Sequence, residues 1–554
     1  MSSRAKERLI ALAIFVAGST LLLPGAEGLN LLRQGDEVMH IATVRESLDA
    51  GSILMPQLTQ QPNSYKPPLL FWMGMLGESL FGRSLLADRS VVALLGAGTA
   101  VFLFLIARLH ALSLARSLLT TAAFLVSLAA FKFGRLLMMD LPMAFFLTAV
   151  AYSFVRHWRI QKGMAFMALA GFLTGIAFLY KGPLFHVYAA LLFLSQAGMR
   201  LWSPGALNNT PRMREMLLSF LKDGIVFSLA SFIVPLIWVV ALAANGHTGT
   251  LWFFFVVENA GKFAADNQPM MRIFGGWLLY LLPFTLPVLW IAGRSFLHPV
   301  RGPAAYTARV FFVAAILITL LHLLPDRKDP YYVVPVLPLV FVAVGLSFRK
   351  EDRIAGWLLF VQSAVLALLL SIALFLFAST YLAVLLSLLL LAGVCAGWMA
   401  ASSGLSDWKW GGMHLLAPAV IMLVMQFGLL PAVTRPILPA EQASLLKGQG
   451  VCLVSRNWWD VFELQLLIPN SDIAHASIEE RIHCADGERA VVVLQEDVSA
   501  PAGYARLAEW SHWSIRPIDF PGFSSLRSSV SSPDWRLPFE GRSVLYAPVK
   551  EASQ

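Results

Sequence analysis

Three carboxylates and a set of cations stand out in this 554-residue chain because the sequence around them is so apolar. Asp36 and Glu37 follow the first long apolar run, and Asp140 closes the segment Gly-Arg-Leu-Leu-Met-Met-Asp, with Arg135 ahead of it and a new apolar run behind. An ionisable group at membrane depth is costly and is by default a functional candidate. The cations are Lys66 in Tyr-Lys-Pro-Pro, Lys181 in Lys-Gly-Pro, Lys262 and Arg272 between residues 245 and 273, and Lys328 in Asp-Arg-Lys-Asp-Pro-Tyr-Tyr, where Tyr332 adds a hydroxyl. One such lysine is ordinarily an anchor that snorkels to the interface, and one such acid is ordinarily a helix cap. Several cations converging with two acids suit an anionic group held at a membrane surface, such as a lipid phosphate. His247 and Glu258 leave room for a divalent ion, the one metal set this reading offers.

Those residues need elements to position them, and composition says which kind. The chain is 57% hydrophobic and 14% charged, with mean hydropathy +0.68, whereas an average soluble domain is about 25% charged. Apolar runs long enough for spans occur near 9–29, 89–107, 115–133, 141–155, 164–180, 183–199, 224–244, 274–293, 308–324, 333–348, 354–377, 380–400 and 414–432, so about thirteen transmembrane helices are expected. The first run also has the form of a signal peptide, but it is long and no small-x-small cleavage site precedes the next segment. Basic clusters fall on alternate connections, which assigns the N-terminus and those connections to the cytoplasm. The net charge of +9 is then explained by anchoring loops and calls for no nucleic acid.

An odd span count places residues 433–554 outside. From residue 436 on there are ten Lys/Arg against fifteen Asp/Glu, so the tail is acidic. Short β-type runs at 451–455, 490–495 and 543–549, with a helical stretch at 474–483, read as a small extracytoplasmic α/β domain appended to a membrane domain over 1–432. Cys452 and Cys484 lie in it, either bridged or as two buried thiols. The outward loop 30–87 is unusually long, and ordered loops of that length are commonly functional. It carries Gly-Asp-Glu, an amphipathic stretch with Ile41, Val44 and Leu48 on one face, and an apolar run after Lys66-Pro67-Pro68 that suits an interfacial helix.

Five segments in order, GDEVMHIATVRESLDAG, KPPLLFWMGMLGESLFG, GRLLMMD, AGFLTGIAFLYKGP and PDRKDPYYVVPVLPL, resemble the GT-C membrane glycosyltransferases of the protein O-mannosyltransferase and lipid A aminoarabinose transferase superfamily. The likeness covers roughly residues 9–350. It implies a GT-C-like polytopic fold in a bacterial inner membrane and an inverting enzyme that takes a sugar from a polyprenyl-phosphate carrier. The acceptor would be a lipid, a protein or an envelope polymer at the extracytoplasmic face. The family's two acidic positions fall on Asp36 and Asp140, and its basic elements on Lys66, Lys181 and Lys328 with Pro330 and Tyr332.

Transfer from a phosphate carrier needs a carboxylate to take or orient the acceptor proton and cations for the departing phosphate. Asp36, with Glu37 beside it, suits the first role. Asp140 would organise the site by pairing with Arg135 or a neighbouring lysine. Lys66, Lys181, Lys262, Arg272, Lys328, Tyr332 and Arg135 are the candidates for the carrier phosphate. Two positions depart from the family: His40 stands where a tyrosine is common, and Tyr65 where a glutamate associated with metal precedes Lys-Pro-Pro. The rival reading is a transporter or flippase for an anionic lipid or solute, but transporters place charges near midspan and here they gather at span ends.

Overall fold

A computed structural model describes residues 3–29, 35–160, 164–202, 213–261, 267–349, 352–402, 407–434, 437–455, 458, 460–469, 471–477, 489–494, 500–513 and 540–549. Two compact units divide the chain. The first comprises Met1–Gly28 and Thr43–Leu429, the second Leu29–Ala42 and Leu430–Gln554.

The first unit is helical. In chain order it holds α1 (Ser3–Leu22), the latter part of α2 (Gly35–Asp49), a two-residue hairpin of β1 (Gln57–Leu58) and β2 (Gln61–Pro62), α3 (Leu69–Phe81), α4 (Leu85–Leu109), α5 (Leu114–Leu125), α6 (Leu128–Phe133), α7 (Asp140–Ile160), α8 (Ala165–Lys181), α9 (Pro183–Trp202) and α10 (Met213–Ala244). Then come α11 (Thr248–Trp252), a π-helical segment (Phe253–Ala260), α12 (Met271–Tyr280), α13 (Thr285–Leu297), α14 (Gly302–Leu321), a 3-10 segment (Pro330–Val336), α15 (Leu337–Ser347), α16 (Arg353–Phe377), α17 (Thr380–Ser402) and α18 (Asp407–Val424).

Among the described residues eight helices are long and apolar enough to cross a membrane, or nine if α12 and α13 form one broken span. The expected thirteen is not reached by this measure, for three physical reasons. The run 115–133 breaks at Val126 and Ser127 into α5 and α6, with the Ser127 hydroxyl capping α6. The run 274–293 bends by 108° between α12 and α13. Helix α1 carries four charged residues among its first six, α7 begins on Asp140 and ends through Arg156 and Arg159, and α8 has only 17 residues. A continuous apolar run is therefore not the same thing as a straight span.

Several charged residues in this unit are paired or hydrogen-bonded near helix ends. Arg108 at the end of α4 binds Glu7 near the start of α1 at 3.1 Å. Arg116 donates to Phe348 O, Arg294 pairs with Asp352, and Arg309 reaches His298 O at 2.9 Å. His157 and Asp223 meet at 3.1 Å. Asp140 begins α7, His322 caps the end of α14, Lys181 ends α8, and Tyr332 lies in the 3-10 segment ahead of α15. Helix α3 packs one face on α4, where Gly77 lies so close that a Cβ would come within 2.1 Å of Ala87 O, and it leaves Leu76, Leu80 and Phe81 exposed.

The second unit contains the start of α2, the short helices α19 (Leu430–Val433), α20 (Ala440–Leu446) and α21 (Asp460–Leu467), and five strands: β3 (Gly450–Val454), β4 (Asp472–Ala476), β5 (Ala490–Leu494), β6 (Tyr504–Trp513) and β7 (Glu540–Pro548). The sheet order is β4-β3-β5-β7-β6, with β3 parallel to β4 and β5, and β7 antiparallel to β5 and β6. All three expected β runs are strands. The expected helix over 474–483 is corrected at its start, because residues 474–476 end strand β4 in register with β3. The alternating Ile473, His475 and neighbouring alanines suit a strand once a partner is present. The rest of that stretch lies outside the described residues. Cys452 on β3 is disulfide-bonded, Cys484 lies outside the described residues, and Cys395 on α17 is free.

Candidate functional site

Helix α7 starts at Asp140 and α8 ends at Lys181, and the two helices pack side by side. A carboxylate suits a helix N-terminus and an ammonium a C-terminus, so the antiparallel packing brings two favoured charges together. Lys181 Nζ lies 3.6 Å from Asp140 Oδ1, and the aspartate side chain is 1% exposed. Asp140 therefore pairs with the lysine of the two partners expected for it. The Lys181 ammonium also lies 4.8 Å from the centroid of the Tyr332 ring and 5.9 Å from that of Tyr331, within cation–π range. No hydrogen bond to Lys181 Nζ occurs among the described residues. Charge and ring faces hold the ammonium, so its N–H donors remain available to an anion.

Gly182 makes this geometry possible. Its φ is +68°, and a Cβ there would come within 2.4 Å of Phe254 Cζ, so the Lys-Gly-Pro turn presses directly on an aromatic ring. A side chain would meet both a disfavoured backbone conformation and that ring.

The segment between α14 and α15 supplies the other wall. Asp329, buried, accepts from Arg327 Nε at 2.9 Å, from the Tyr331 hydroxyl at 3.1 Å and from Arg272 Nη2 at 3.4 Å. Arg272 reaches it because α12 lies against this turn, with Gly276 so near that a Cβ would be 2.0 Å from Pro330 O. Residues 272 and 276 share a helix face. Arg272 Nε is itself buried and has no hydrogen-bond partner among the described residues. Tyr332 stacks against His322, ring centroids 4.8 Å apart, and His322 Nε2 is hydrogen-bonded to the Tyr188 hydroxyl on α9. Asp329, His322 and Tyr188 were not singled out from sequence. A sign of the first was present: an acid inside a cationic run, followed by proline.

Other expected site residues are engaged differently. Lys66 pairs with Glu258 on the π-helical segment, the neighbouring Tyr65 ring meets Phe253 edge-on at 5.3 Å, and Ser64 Oγ lies 3.4 Å from Thr250 Oγ1. The Lys-Pro-Pro loop is thus clasped to residues 250–258, and π-helical turns of this kind are frequent at functional sites. Lys328 is 3% exposed and its ammonium donates to Asn267 Oδ1 at 2.8 Å, which makes it a tie to the 267–268 segment. Arg135 is corrected outright as a phosphate ligand and as a partner of Asp140. Its guanidinium is buried and donates to Leu21 O at 2.6 Å, Pro24 O at 2.8 Å and Phe131 O at 2.6 Å. Five fixed donors suit carbonyls at a helix end as well as they suit an anion. Lys262 lies outside the described residues.

Asp36 and Glu37 occupy the first turn of α2, where the helix dipole favours acids. Asp36 is half-buried and Glu37 buried, and His40 one turn on is also buried. Further along α2, Arg45 donates to Glu78 of α3 at 3.1 Å and approaches Asp88 of α4 at 3.4 Å, anchoring the latter part of the helix.

Of the two residues offered for a divalent ion, Glu258 is already engaged. It carries the Lys66 ammonium, and among the described residues no group of three His, Cys, Asp or Glu side chains is placed to hold a metal. A zinc site takes at least three protein ligands, so no zinc-type set is formed by the described residues.

Known proteins match both the sequence and the fold. A family model described as dolichyl-phosphate-mannose-protein mannosyltransferase matches residues 65–238. The undecaprenyl phosphate-alpha-4-amino-4-deoxy-L-arabinose arabinosyl transferase of Shewanella sediminis is 26% identical over 335 residues, covering 59% of this chain and 58% of the relative. A protein of the same name from Sodalis glossinidius is 27% identical, covering 62% and 59%. The chain thus spans just under three-fifths of the length of these curated relatives. The crystal structure of ArnT from Cupriavidus metallidurans bound to undecaprenyl phosphate superposes with a TM-score of 0.66 at 15% identity, covering 98% of each chain. The chain therefore has the fold of that structure and is similar in sequence to aminoarabinose transferases over about three-fifths of its length.

Proposed function

We propose that this protein is an inverting glycosyltransferase that moves a sugar from a polyprenyl-phosphate donor to a lipid, protein or envelope-polymer acceptor. The observation that carries this reading is the Lys181 ammonium, paired with a buried Asp140, roofed by two tyrosine rings and without a hydrogen bond among the described residues. The buried, unpartnered Nε–H of Arg272 adds a second donor on the Asp329 wall. Preorganised cations aimed at a departing phosphate stabilise the charge that develops as the glycosidic bond breaks. The names of the relatives, which specify an undecaprenyl-phosphate-linked aminoarabinose, favour a polyprenyl-phosphate-linked pentose or hexose as donor. Asp36 is assigned the acceptor proton, an assignment that rests on its motif alone. The basic connections support an orientation in a bacterial inner membrane with the N-terminus cytoplasmic and residues 433–554 outside under the positive-inside rule.

Thermal unfolding of the purified protein with undecaprenyl phosphate tests this reading. Ligand at 100 times its Kd stabilises by about 2.7 kcal/mol. Wild type is expected to be stabilised and Lys181→Ala and Arg272→Ala much less so. Equal stabilisation of all three would contradict the assignment of the phosphate site.

A further inference from the structure

We infer that His322 and Tyr188 are positioning residues for the Lys181 ammonium, acting through the ring of Tyr332, a role that rests on the phosphate-site reading above. The ammonium is held by one carboxylate at 3.6 Å and by ring faces, and among the described residues no hydrogen bond fixes its direction. A cation held this way is aimed only as well as the rings that roof it are fixed. Tyr332 is hydrogen-bonded through its hydroxyl to Asp329, which fixes the tip of the ring but leaves rotation about its long axis to be set by its neighbours. It lies in the short 3-10 segment after Asp329, with the Tyr331 ring edge-on at 5.3 Å. What lies along its face is the imidazole of His322, 4.8 Å between centroids and tilted by 35°.

His322 is in turn held at two points. Its backbone closes α14, with the amide donating to Thr319 O at 3.0 Å, and its Nε2 is hydrogen-bonded to the buried Tyr188 hydroxyl. Tyr188 stands on α9, the helix that begins immediately after Lys181-Gly182. The chain of contacts therefore runs from α9 through Tyr188, His322 and Tyr332 back to the lysine ahead of α9, closing a ring that rigidly relates α8, α9, α14 and the 330–336 segment. The chemistry of each link is specific. A flat ring is needed at 322 to lie along the face of Tyr332. A hydroxyl is needed at 188 to set the imidazole plane.

The test separates positioning from mere packing. His322→Phe keeps a flat ring without the hydrogen bond, Tyr188→Phe removes the hydrogen bond alone, and His322→Ala removes the ring. Undecaprenyl phosphate binding to the purified full chain is measured by tryptophan fluorescence titration, with thermal unfolding to confirm folding. The expected result is a Kd raised about 10-fold in His322→Ala and about 3-fold in Tyr188→Phe, with His322→Phe recovering most of the affinity lost by the alanine variant. A Kd within 2-fold of wild type in a folded His322→Ala, while Lys181→Ala abolishes binding, would overturn the positioning role and leave the phosphate site intact. Unchanged binding in Lys181→Ala would instead overturn the reading on which this one rests. If His322→Ala does not fold, the ordering of Tyr188→Phe against wild type decides the same question.

Discussion

Replacing Asp140 by Asn is the perturbation whose outcome the geometry constrains most. The change keeps the shape of the side chain and removes its charge, leaving the Lys181 ammonium, 11% exposed, without a counter-ion. At 3.6 Å an effective dielectric of about 20 gives an attraction of roughly 5 kcal/mol. Removal of one partner from a buried pair typically costs about 3–5 kcal/mol because the other charge stays buried. The two figures agree, and the expected loss of stability is about 3–5 kcal/mol. Unfolding of the purified protein in mixed detergent and denaturant would measure it. The same assay on Asp140→Asn/Lys181→Met supplies the control. Both charges are gone, so most of the stability should return, while sugar transfer should remain lost because the phosphate has lost its cation. An Asp140→Asn variant within about 0.5 kcal/mol of wild type, the range of an ordinary surface change, would refute the energetic coupling of the pair. A double variant that transfers sugar would refute its functional role.

Further outcomes follow from the same contacts. Glu258→Gln should loosen the Lys-Pro-Pro loop from residues 250–258 and raise the donor KM without unfolding the protein, as steady-state kinetics would show. Arg135→Met should destabilise by about 3 kcal/mol, since it strands buried carbonyls at the end of α1, yet leave the undecaprenyl phosphate Kd of the folded protein unchanged. Gly182→Ala should cost about 2–4 kcal/mol from its positive φ and the Phe254 ring together, seen as a lowered unfolding midpoint.

Much of the architecture was legible because the signals are local. Apolar runs located most of the long helices, and β-branched runs at 451–455, 490–495 and 543–549 located three of the five described strands of the C-terminal sheet. What escaped depends on neighbours distant in sequence. The break between α5 and α6 rests on one serine cap, and the bend between α12 and α13 leaves no gap in hydrophobicity. At the site, Asp140, Lys181 and Arg272 were visible as charges out of place. Their partners were not, because pairing depends on which helix ends pack together. Arg135 shows the limit most clearly: its sequence context suggested an anion, and its contacts are backbone carbonyls.

The most direct measurement of the central claim is sugar transfer itself. Purified wild type and Asp36→Asn are supplied with undecaprenyl-phosphate-linked sugar and an envelope lipid extract, and the products are followed by mass spectrometry. Wild type should release undecaprenyl phosphate and add one sugar mass to an acceptor, while folded Asp36→Asn, still able to bind undecaprenyl phosphate, should add none. Full transfer by Asp36→Asn, or no consumption of any polyprenyl-phosphate sugar by wild type, would contradict the account.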